Sequence, residues 1–584
     1  MKKENQLNEN CSECNCVENA TKGLDYFLSR DRTYYCISSL GSATDDNIII
    51  IPNCYNNLPV TKILDNAFKN CKNIRSVLIP DSVTFIGLTA FLGCSNLTNI
   101  VIDKNNNVYD SRNNCNAIIE TSTNTLIQGC STTIIPDTVA SIGCDAFEDC
   151  IGLTSIVIPN SVENIGENAF FDCGSLISIE IPNSVKSIGD CAFVDCSSLT
   201  SIDIPDSVES IGFDAFEYCG SLIRIAVDEN NKVYDSRNNC NALIETSTNT
   251  LLRGCNITII PNTITSIENY AFSGCSCLAT IDIPNSVRKI GESAFSDCSS
   301  LTNIVIPKSV KSIAGSTFFC CSSLISIEIP KSVKSIGNYA FYECNSLTNI
   351  VIPKSVKSIG ECAFNGCGSL TRIVVDGKNK VYDSRNNCNA IIVTKTNTLI
   401  QGCNATIIPN TVISIGYRAF DGCSNLTSIE IPGSVTSIGE CAFLGCSNLT
   451  RIVVDEKNKV YDSRNNCNAI IETATNTLIQ GCSTTIIPNT VTRIKNNAFE
   501  SCSSLTSIVI PNSITFIGYN IFKDCSSLKA VFYEGSVTNW NNVDKRYLGI
   551  ENKYVAFYSE TKPADNDYRY WHYVDNVPTL WNEK

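Results

Sequence analysis

Histidine is almost absent from this 584-residue chain, since His572, between Trp571 and Tyr573, is the only one. Catalytic triads that depend on histidine and paired-histidine zinc sites therefore have no scaffold, and we interpret His572 as a structural residue of a terminal cap. The sequence also lacks a phosphate-binding G-x-x-x-x-G-K-[ST] loop. Its carboxylates mostly recur with one fixed spacing, which is typical of a solvated face rather than an acid–base pair. We expect no enzymatic activity and no cofactor.

Long apolar runs and positive charge are scarce as well. No stretch approaches the ~18 consecutive apolar residues of a membrane span, and the beginning MKKENQLNENCSECNC has no apolar segment of an export signal. The formal net charge is −14, whereas a surface for nucleic acid needs an excess of Lys and Arg over the phosphates it contacts. We expect no nucleic-acid partner, no membrane insertion and a monomer. A cytoplasmic location and export by a route not visible in the sequence both stay open.

What the sequence has in abundance is repetition. Hydrophobic residues make up 43% of the chain and charged residues 17%, a composition that favours a folded protein. The prolines Pro136, Pro159, Pro182 and Pro205 are each 23 residues apart. Cysteine is frequent, with 34 residues, but most of these cysteines follow the same period. A fixed period of this length is the signature of a repeat solenoid.

One unit, LTSIVIPNSVENIGENAFFDC, shows how a coil of the solenoid is built. Ile156 and Ile158 alternate with polar or β-branched neighbours, which predicts a short strand with one buried face, ended by Pro159. A second short extended piece follows, and GENAFFDC reads as one helical or 3₁₀ turn with Ala169 and Phe170 directed inward. A coil this short cannot bury its apolar side alone, so we expect coils to stack with Phe above Phe and Ile above Ile.

Four gaps in the rhythm measure 56 residues, and each holds a near-copy of one insertion, such as KVYDSRNNCNALIETSTNTLLRGC from Lys232. Apolar alternation on both sides of a Thr/Asn turn predicts a β-hairpin, either as an enlarged coil or projecting from the array. We assign residues 1–47 to a polar tail and an N-terminal cap that contains a hairpin in GLDYFLSRDRTYYCISSL. Residues 48–530 form the solenoid, and residues 531–584 form an aromatic-rich C-terminal cap.

The pattern L-x-x-I-x-I-P, then V-x-x-I-G and A-F-x-x-C, resembles the BspA-like leucine-rich-repeat family over roughly residues 48–530. The terminal segment AFYSETKPADNDYRYWHYVDNVPTLW is similar to that of bacterial members. The resemblance implies a non-catalytic solenoid that acts in cell-surface adhesion to host or matrix proteins or in co-aggregation of microbes. It implies no catalytic residues. An intracellular interaction scaffold is the alternative, and a metal- or redox-active cysteine protein is an alternative of another class.

The cysteines suggest three structures. Repeat cysteines such as Cys150 and Cys173 would stack with Cβ atoms about 4.8 Å apart, slightly beyond disulfide geometry, and we predict a buried thiol ladder with S–H donors to carbonyls. In the insertions, two cysteines 15 residues apart could form a disulfide or remain packed thiols; these pairs are Cys115/Cys130, Cys240/Cys255, Cys388/Cys403 and Cys467/Cys482. Cys11, Cys14 and Cys16 have metal-ligand spacing, with Cys36 as a conceivable fourth ligand, but a reduced tail is the simpler interpretation.

Two surfaces are candidates for binding a protein or glycan. The first, the strand-face strip, consists of small polar, acidic and β-branched residues that face outward from the strands. Its members are Ser155/Val157, Ser178/Glu180, Ser201/Asp203, Thr280/Asp282, Asn303/Val305, Ser326/Glu328 and Ser428/Glu430. The second, the lysine ridge, comprises one column of Lys308, Lys331 and Lys354 and a second column of Lys311, Lys334 and Lys357. Stacked like charges raise the local positive potential, which favours an acidic partner, although solvated turn lysines and an ordinary sheet face are the simpler alternatives.

Overall fold

A computed structural model describes residues 20–551, 554–562 and 569–581. The chain is a β-solenoid with a period of about 23 residues and almost no helix, as the repeat predicts. The backbone divides into two compact units, one that ends at Cys298 and one that begins at Ser299. Each unit is built from the same kind of coil.

Each regular coil contributes two short strands, which pair in parallel with the corresponding strands of the next coil. Ser155–Val157 pairs with Ser178–Glu180, and Asn164–Ile165 pairs with Ser187–Ile188. In the first pair Ile156 is opposite Ile179, so that the buried residues of successive coils stack. The predicted alternation of buried and exposed residues is confirmed.

The segment after the second strand is a turn, as predicted, but of a different kind. Asn168 and Asp172 have positive φ angles of 51° and 53°, so the segment does not continue as a helix. Between these two residues, the amide of Phe170 donates to the carbonyl of Ala192 in the next coil, at 2.8 Å. The turn therefore satisfies its backbone partly by bonding to the neighbouring coil rather than to itself.

Each insertion is an enlarged coil that joins the parallel ladder. In the first one, Tyr109–Asp110 and Thr125–Gln128 both pair antiparallel with Ile118–Glu120. Thr125–Gln128 also pairs in parallel with Ser141–Ile142 of the following coil. The predicted hairpin is confirmed, and of the two arrangements left open, the enlarged coil is the one observed.

A partly buried arginine fixes the loop of each insertion. Arg112 Nη2 is 2.6 Å from Asp110 Oδ2, and its Nη1 donates to Asn124 Oδ1 at 2.9 Å and to Thr138 Oγ1 at 3.0 Å. The side chain thereby ties the loop to the hairpin turn and to the next coil. The same set of bonds recurs around three further arginines, Arg237, Arg385 and Arg464.

Phenylalanine rings stack from coil to coil, and each insertion interrupts the stack. Between most regular coils the ring centroids are 5.0 to 5.3 Å apart, as for Phe147 and Phe170 or Phe341 and Phe364, and Phe499 and Phe522 are 5.8 Å apart. At each insertion a glycine lies against the first phenylalanine of the next block, in a position where a Cβ atom would collide with the ring. These pairs are Gly129/Phe147, Gly254/Phe272, Gly402/Phe420 and Gly481/Phe499.

The two ends of the described chain carry different elements. Near the beginning, Asp25–Leu28 and Tyr35–Ser39 form the antiparallel hairpin predicted there. Towards the end, the α-helix Val537–Asn542 lies between strands of a sheet in which Trp571 is fully buried. The Nε1 of Trp571 donates to the carbonyl of Tyr533, at 3.0 Å. The ring of His572 stacks on Trp581 with centroids 3.6 Å apart, in keeping with a structural residue.

The strands of the first unit are Asp25–Leu28, Tyr35–Ser39, Ile48–Ile50, Cys54–Tyr55, Leu58–Ile63, Ser76–Ile79, Phe85–Ile86, Asn99–Ile102, Tyr109–Asp110, Ile118–Glu120, Thr125–Gln128, Ser141–Ile142, Ser155–Val157, Asn164–Ile165, Ser178–Glu180, Ser187–Ile188, Ser201–Ile204, Ser210–Ile211, Arg224–Val227, Tyr234–Asp235, Ala242–Glu245, Thr250–Gly254, Ser266–Ile267, Thr280–Ile281 and Lys289–Ile290. Its 3₁₀ segments are Arg112–Asn114 and Arg237–Asn239.

The strands of the second unit are Asn303–Val305, Ser312–Ile313, Ser326–Glu328, Ser335–Ile336, Asn349–Ile352, Ser358–Ile359, Arg372–Val375, Tyr382–Asp383, Ile391–Val393, Thr398–Gln401, Ser414–Ile415, Ser428–Ile431, Ser437–Ile438, Arg451–Val454, Tyr461–Asp462, Ile470–Glu472, Thr477–Gln480, Arg493–Ile494, Ser507–Ile510, Phe516–Ile517, Ala530–Tyr533, Asp544–Lys545, Val555–Tyr558, Arg569–Val574 and Val577–Leu580. Its 3₁₀ segments are Arg385–Asn387 and Arg464–Asn466.

Replacing Gly402 by alanine tests the packing at an insertion. The new methyl group would press on the ring of Phe420, and overpacking of this kind costs about 1–3 kcal/mol of the free energy of unfolding. Gly377→Ala is the matched control, because a Cβ atom there meets nothing within 4 Å. Chemical denaturation of both variants would measure the difference. Equal stability of the two variants would contradict the packing described.

Candidate binding surfaces

The strand-face strip is present as a row of exposed side chains along the parallel strands. In the first unit Val157 lies opposite Glu180, and in the second unit Val305 lies opposite Glu328. The acidic members Glu180, Asp203, Asp282, Glu328 and Glu430 are all exposed. Asp203 forms an ion pair with Arg224 of the next coil, so this carboxylate is partly neutralised. The strip therefore combines apolar β-branched groups with carboxylates on neighbouring strands.

Four exposed isoleucines occupy the repeat position of this strip in the segments after the insertions, and sequence reasoning missed them. Each lies directly after an insertion and leaves about three quarters of its side chain exposed: Ile134 (75%), Ile259 (74%), Ile407 (77%) and Ile486 (75%). The signal that could have found them is the proline that follows, because Ile134-Ile135-Pro136 aligns with Val157-Ile158-Pro159. The strip is consequently more apolar beside the insertions than the regular coils suggest.

The lysine ridge lies wholly within the second unit, and its six side chains are exposed. The amide of Lys334 donates to the carbonyl of Lys311, and the amide of Lys357 donates to that of Lys334, both at 2.8 Å. These bonds place the three lysines at adjacent levels of one ladder. Lys308, Lys331 and Lys354 each follow the proline that ends the outer strand of the same coils. Within the described residues, none of the six forms an ion pair.

The equivalent column of the first unit has the opposite arrangement. There Glu163, Lys186 and Glu209 alternate in sign, and the amide of Lys186 donates to the carbonyl of Glu163, at 2.7 Å. The ammonium of Lys186 is also 2.7 Å from the Glu163 carboxylate. The same backbone position thus carries a paired charge in one unit and three unpaired positive charges in the other. The positive potential of the ridge is a property of its side chains and not of the coil.

The metal-ligand motif of Cys11, Cys14 and Cys16 lies outside the described residues. Cys36, the fourth ligand considered with them, is buried within Tyr35–Ser39. Among the described residues no three His, Cys, Asp or Glu side chains are grouped so that they could hold a metal ion. The part of the chain covered by the structure also contains no helix long and apolar enough to cross a membrane.

A family model described as BspA type leucine rich repeat region (6 copies) matches residues 48–128, 118–243, 248–371, 400–476 and 475–543. These segments cover well over half of the chain. The chain belongs to the BspA type leucine-rich-repeat family. The family expected from the L-x-x-I-x-I-P and A-F-x-x-C pattern is confirmed.

Crystal structures of other leucine-rich-repeat proteins are similar to this BspA type chain. A leucine rich cell surface protein from Faecalibacterium prausnitzii A2-165 is 31% identical, over 63% of this chain and 96% of its own, with a TM-score of 0.46. The pneumococcal vaccine antigen PcpA is 19% identical, over 82% and 93%, with a TM-score of 0.37. A leucine-rich repeat protein from Bacteroides ovatus ATCC 8483 is 21% identical, over 92% and 93%, with a TM-score of 0.23. No curated protein matches the chain.

The cysteines of the BspA type repeat form the predicted thiol ladder. Between regular coils the thiol donates to the carbonyl of a phenylalanine in the preceding coil; Cys173 Sγ is 3.2 Å from the oxygen of Phe147, and Cys344 Sγ is 3.1 Å from that of Phe318. The same bond recurs at Cys94, Cys196, Cys219, Cys367, Cys446 and Cys525. After an insertion the thiol is directed to a glycine carbonyl instead, as from Cys423 to Gly402 at 3.9 Å. These side chains are buried. Each one fills space and satisfies a carbonyl lone pair as a weak donor.

The insertion cysteines are packed thiols, and the disulfide considered for them is wrong. Cys130 Sγ donates to the carbonyl of Asn116 at 3.3 Å, whereas Cys115 Sγ is directed to the carbonyl of Ala117, at 3.9 Å. Because the two thiols use separate acceptors, they remain apart although both lie in the core. The equivalent cysteines of the other three insertions are also thiols.

Burial raises the pKa of the ladder thiols, since the thiolate would lose its hydration. The pKa of Cys219 and that of Cys367 are raised to about 12, from an ordinary value of 9.0. These cysteines therefore stay protonated and unreactive at neutral pH. The more exposed Cys144 and Cys277 lie outside the ladder.

The raised pKa makes the stability of the folded chain fall in alkali. Above about pH 9 the unfolded chain loses the Cys367 proton while the folded chain keeps it up to about pH 12. One such thiol thus costs about 1.4 kcal/mol of the free energy of unfolding per pH unit in this window, and nothing below it. We expect Cys367→Ala to lower the slope of stability against pH by that amount.

Denaturant unfolding of the reduced protein between pH 7.5 and pH 11 measures this slope. Tyrosines and lysines titrate in the same range, so the comparison is between variants rather than with theory. Cys144→Ala is the matched control, because it removes one thiol from an exposed position instead of a buried one. Identical slopes for the two alanine variants would show that Cys367 is not a desolvated thiol.

Proposed function

We propose that this chain is a non-catalytic binding protein that engages an acidic protein or glycan along the lysine ridge and a protein along the strand-face strip. The observation that carries the proposal is the alignment of Lys311, Lys334 and Lys357 by two backbone bonds of 2.8 Å, without counter-ions among the described residues. Stacking a lysine on two like charges raises the electrostatic energy of the folded chain, and a bound ligand of opposite charge would offset that repulsion.

The spacing of the ridge supports a polyanion as its ligand. Parallel strands repeat at about 4.8 Å, which is shorter than the Debye length of about 8 Å at physiological ionic strength. The potentials of neighbouring lysines therefore add at the surface. Each contact is weak because the lysines are exposed, so affinity has to come from several contacts formed together, as in multivalent binding.

We further propose that the protein is displayed at a cell surface as an adhesin. The family resemblance supports this cellular location, and one similar structure is described as a cell surface protein. An intracellular interaction scaffold is the second candidate, because the described cysteines are thiols and extensive thiols are typical of reducing compartments. Brief protease treatment of intact cells, followed by fractionation, distinguishes the two. We expect cleavage in intact cells, and full protection would favour the scaffold.

A ridge variant tests the binding proposal. Lys308, Lys331 and Lys354 become Asn, and Lys311, Lys334 and Lys357 become Thr, which are residues that the chain itself has at equivalent positions, as in Asn512 and Thr515. We expect binding to immobilised polygalacturonate, an acidic glycan, or polyglutamate, an acidic polypeptide, to be lost. Binding by the unchanged protein should weaken with added salt, because the contacts are electrostatic.

The control removes six exposed lysines of the second unit that lie off the ridge, namely Lys378, Lys380, Lys395, Lys457, Lys459 and Lys529. Both variants have the same net charge, so a loss confined to the ridge variant assigns binding to the ridge. Equal binding by the two variants, or binding to neutral dextran, would exclude a ridge for acidic ligands. A screen against matrix proteins with a truncated repeat series then tests the strand-face strip.

A further inference from the structure

Two equivalent clefts occur in the second unit, each beside an insertion. The first cleft has a volume of about 250 Å³ and is lined by Glu361, Cys362, Ile400, Gln401 and Tyr417 among others. The second cleft, of about 60 Å³, is lined by the residues 79 positions further along, including Glu440, Cys441, Ile479 and Gln480. The repetition indicates that the clefts arise from the architecture and not from one irregular side chain.

The insertion opens these clefts by changing the backbone partner of the turn. Between regular coils the amide of Phe341 donates to the carbonyl of Ala363, at 2.8 Å. At the next step the equivalent carbonyl, that of Ala419, accepts from Gly402 of the insertion at 2.7 Å. Because Gly402 takes this position, the turn that contains Cys362 keeps the regular bond from the Gly366 amide to the Asp421 carbonyl, at 3.1 Å, but lacks the bond to Ala419. The first cleft lies beside this missing bond.

The linings of the two clefts differ at two equivalent positions, Tyr417 against Asn496 and Gly416 against Lys495, and the second difference points to a ligand. Gly416 lines the first cleft, whereas Lys495 occupies the equivalent position and lines the second. The two positions make the same backbone hydrogen bond. The amide of Gly416 donates to the carbonyl of Leu399 at 2.8 Å, and the amide of Lys495 donates to that of Leu478 at 2.9 Å. The second cleft, which has the smaller volume, therefore includes in its lining a residue with an aliphatic chain and an amine tip. The first cleft has the same kind of lining without that group.

The lining of the first cleft suits such a group. Ile359, Ala363, Phe364 and Ile400 supply apolar surface, and Glu361 is exposed and forms no ion pair within the described residues. Arg418, next to Tyr417 in the sequence, is already engaged, because it pairs with Asp421 at 2.9 Å and donates to the Tyr417 hydroxyl at 2.9 Å. The net charge left for a ligand is thus negative.

We propose that the first cleft binds a primary amine on an apolar chain, either the side chain of a lysine in a protein partner or a small free alkylamine. The volume is below the roughly 300–1,000 Å³ of sites for drug-sized ligands, so it fits one side chain and not a larger metabolite. The apolar body would contact Ile359 and Ile400 while the ammonium faces Glu361. This site goes beyond the lysine ridge and has the opposite charge preference.

Protection of Cys362 from iodoacetamide provides the readout, because its thiol lines the cleft. The full chain is alkylated with and without n-pentylamine, and the modification of Cys362 and of the exposed Cys144 is compared by peptide mass spectrometry. We expect pentylamine to slow alkylation of Cys362 and not of Cys144. Pentanol, which has no charge, should protect about two- to fivefold less well, the effect of one exposed ion pair. Equal protection by pentanol would overturn an amine site.

Two reciprocal variants use the second cleft as the control. Gly416→Lys should abolish protection of Cys362, because it introduces the side chain found in the second cleft, on the same backbone. Lys495→Gly should open the second cleft and make Cys441 protectable by pentylamine. Unchanged protection of Cys362 in Gly416→Lys, or no gain at Cys441 in Lys495→Gly, would overturn the proposal.

A second probe, N-acetyl-lysine methylamide, distinguishes a lysine side chain from a small free alkylamine as the ligand. Protection by this probe assigns the cleft to a lysine of a protein partner, and protection by pentylamine alone assigns it to a free amine. Protection by neither would exclude the site. Polygalacturonate binding through the lysine ridge should be the same in Gly416→Lys and in the unchanged protein. The amine-site proposal and the ridge proposal can therefore be contradicted independently.

Discussion

The structure depends on one constraint, which is that a coil of about 23 residues cannot cover its own apolar side. Each coil is therefore completed by its neighbours, through stacked rings such as Phe147 and Phe170 and through backbone bonds such as that from Phe170 to Ala192. The same bonds that close the core also align the outside, because a residue at one level lies beside its equivalent at the next. Columns of equivalent positions are thus a by-product of core formation, whereas the charge of a column, as in the lysine ridge, is set by its side chains.

At the insertions, other contacts replace the stacked rings that cover the apolar side of a regular coil. The phenylalanine stack stops, and a glycine such as Gly402 brings the backbone against the next ring. The loop that the insertion adds is tied by an arginine, for example Arg385, to an aspartate, an asparagine and a threonine. The thiol ladder is supplemented there by a cysteine of the insertion itself. The interruption also exposes an isoleucine on the strand-face strip and leaves the clefts, so the sites that distinguish one coil from another gather around it.

Much of the fold could be predicted because its signals are local and repeated. The alternation of Ile156 and Ile158 identifies the strand, and the position of Cys173 in every coil identifies the ladder. The left-handed residues of the turn could not be predicted, since Asn168 and Asp172 differ in type from their equivalents in other coils, as at Cys191. The clefts could not be predicted either, because they depend on which amide reaches the carbonyl of Ala419. That choice is made between segments far apart in sequence, where spacing within one coil carries no information.

The arginine contacts that recur in each insertion affect how such a chain can change in length. Arg385 and Arg464 lie 79 residues apart and have the same partners in the same geometry. A segment that begins at one of them and ends at the other presents matching edges on both sides. Deletion or duplication of that segment therefore joins surfaces that already fit, with no need for new contacts at the ends. The protein can grow or shrink by whole modules while the coils on either side are left as they were.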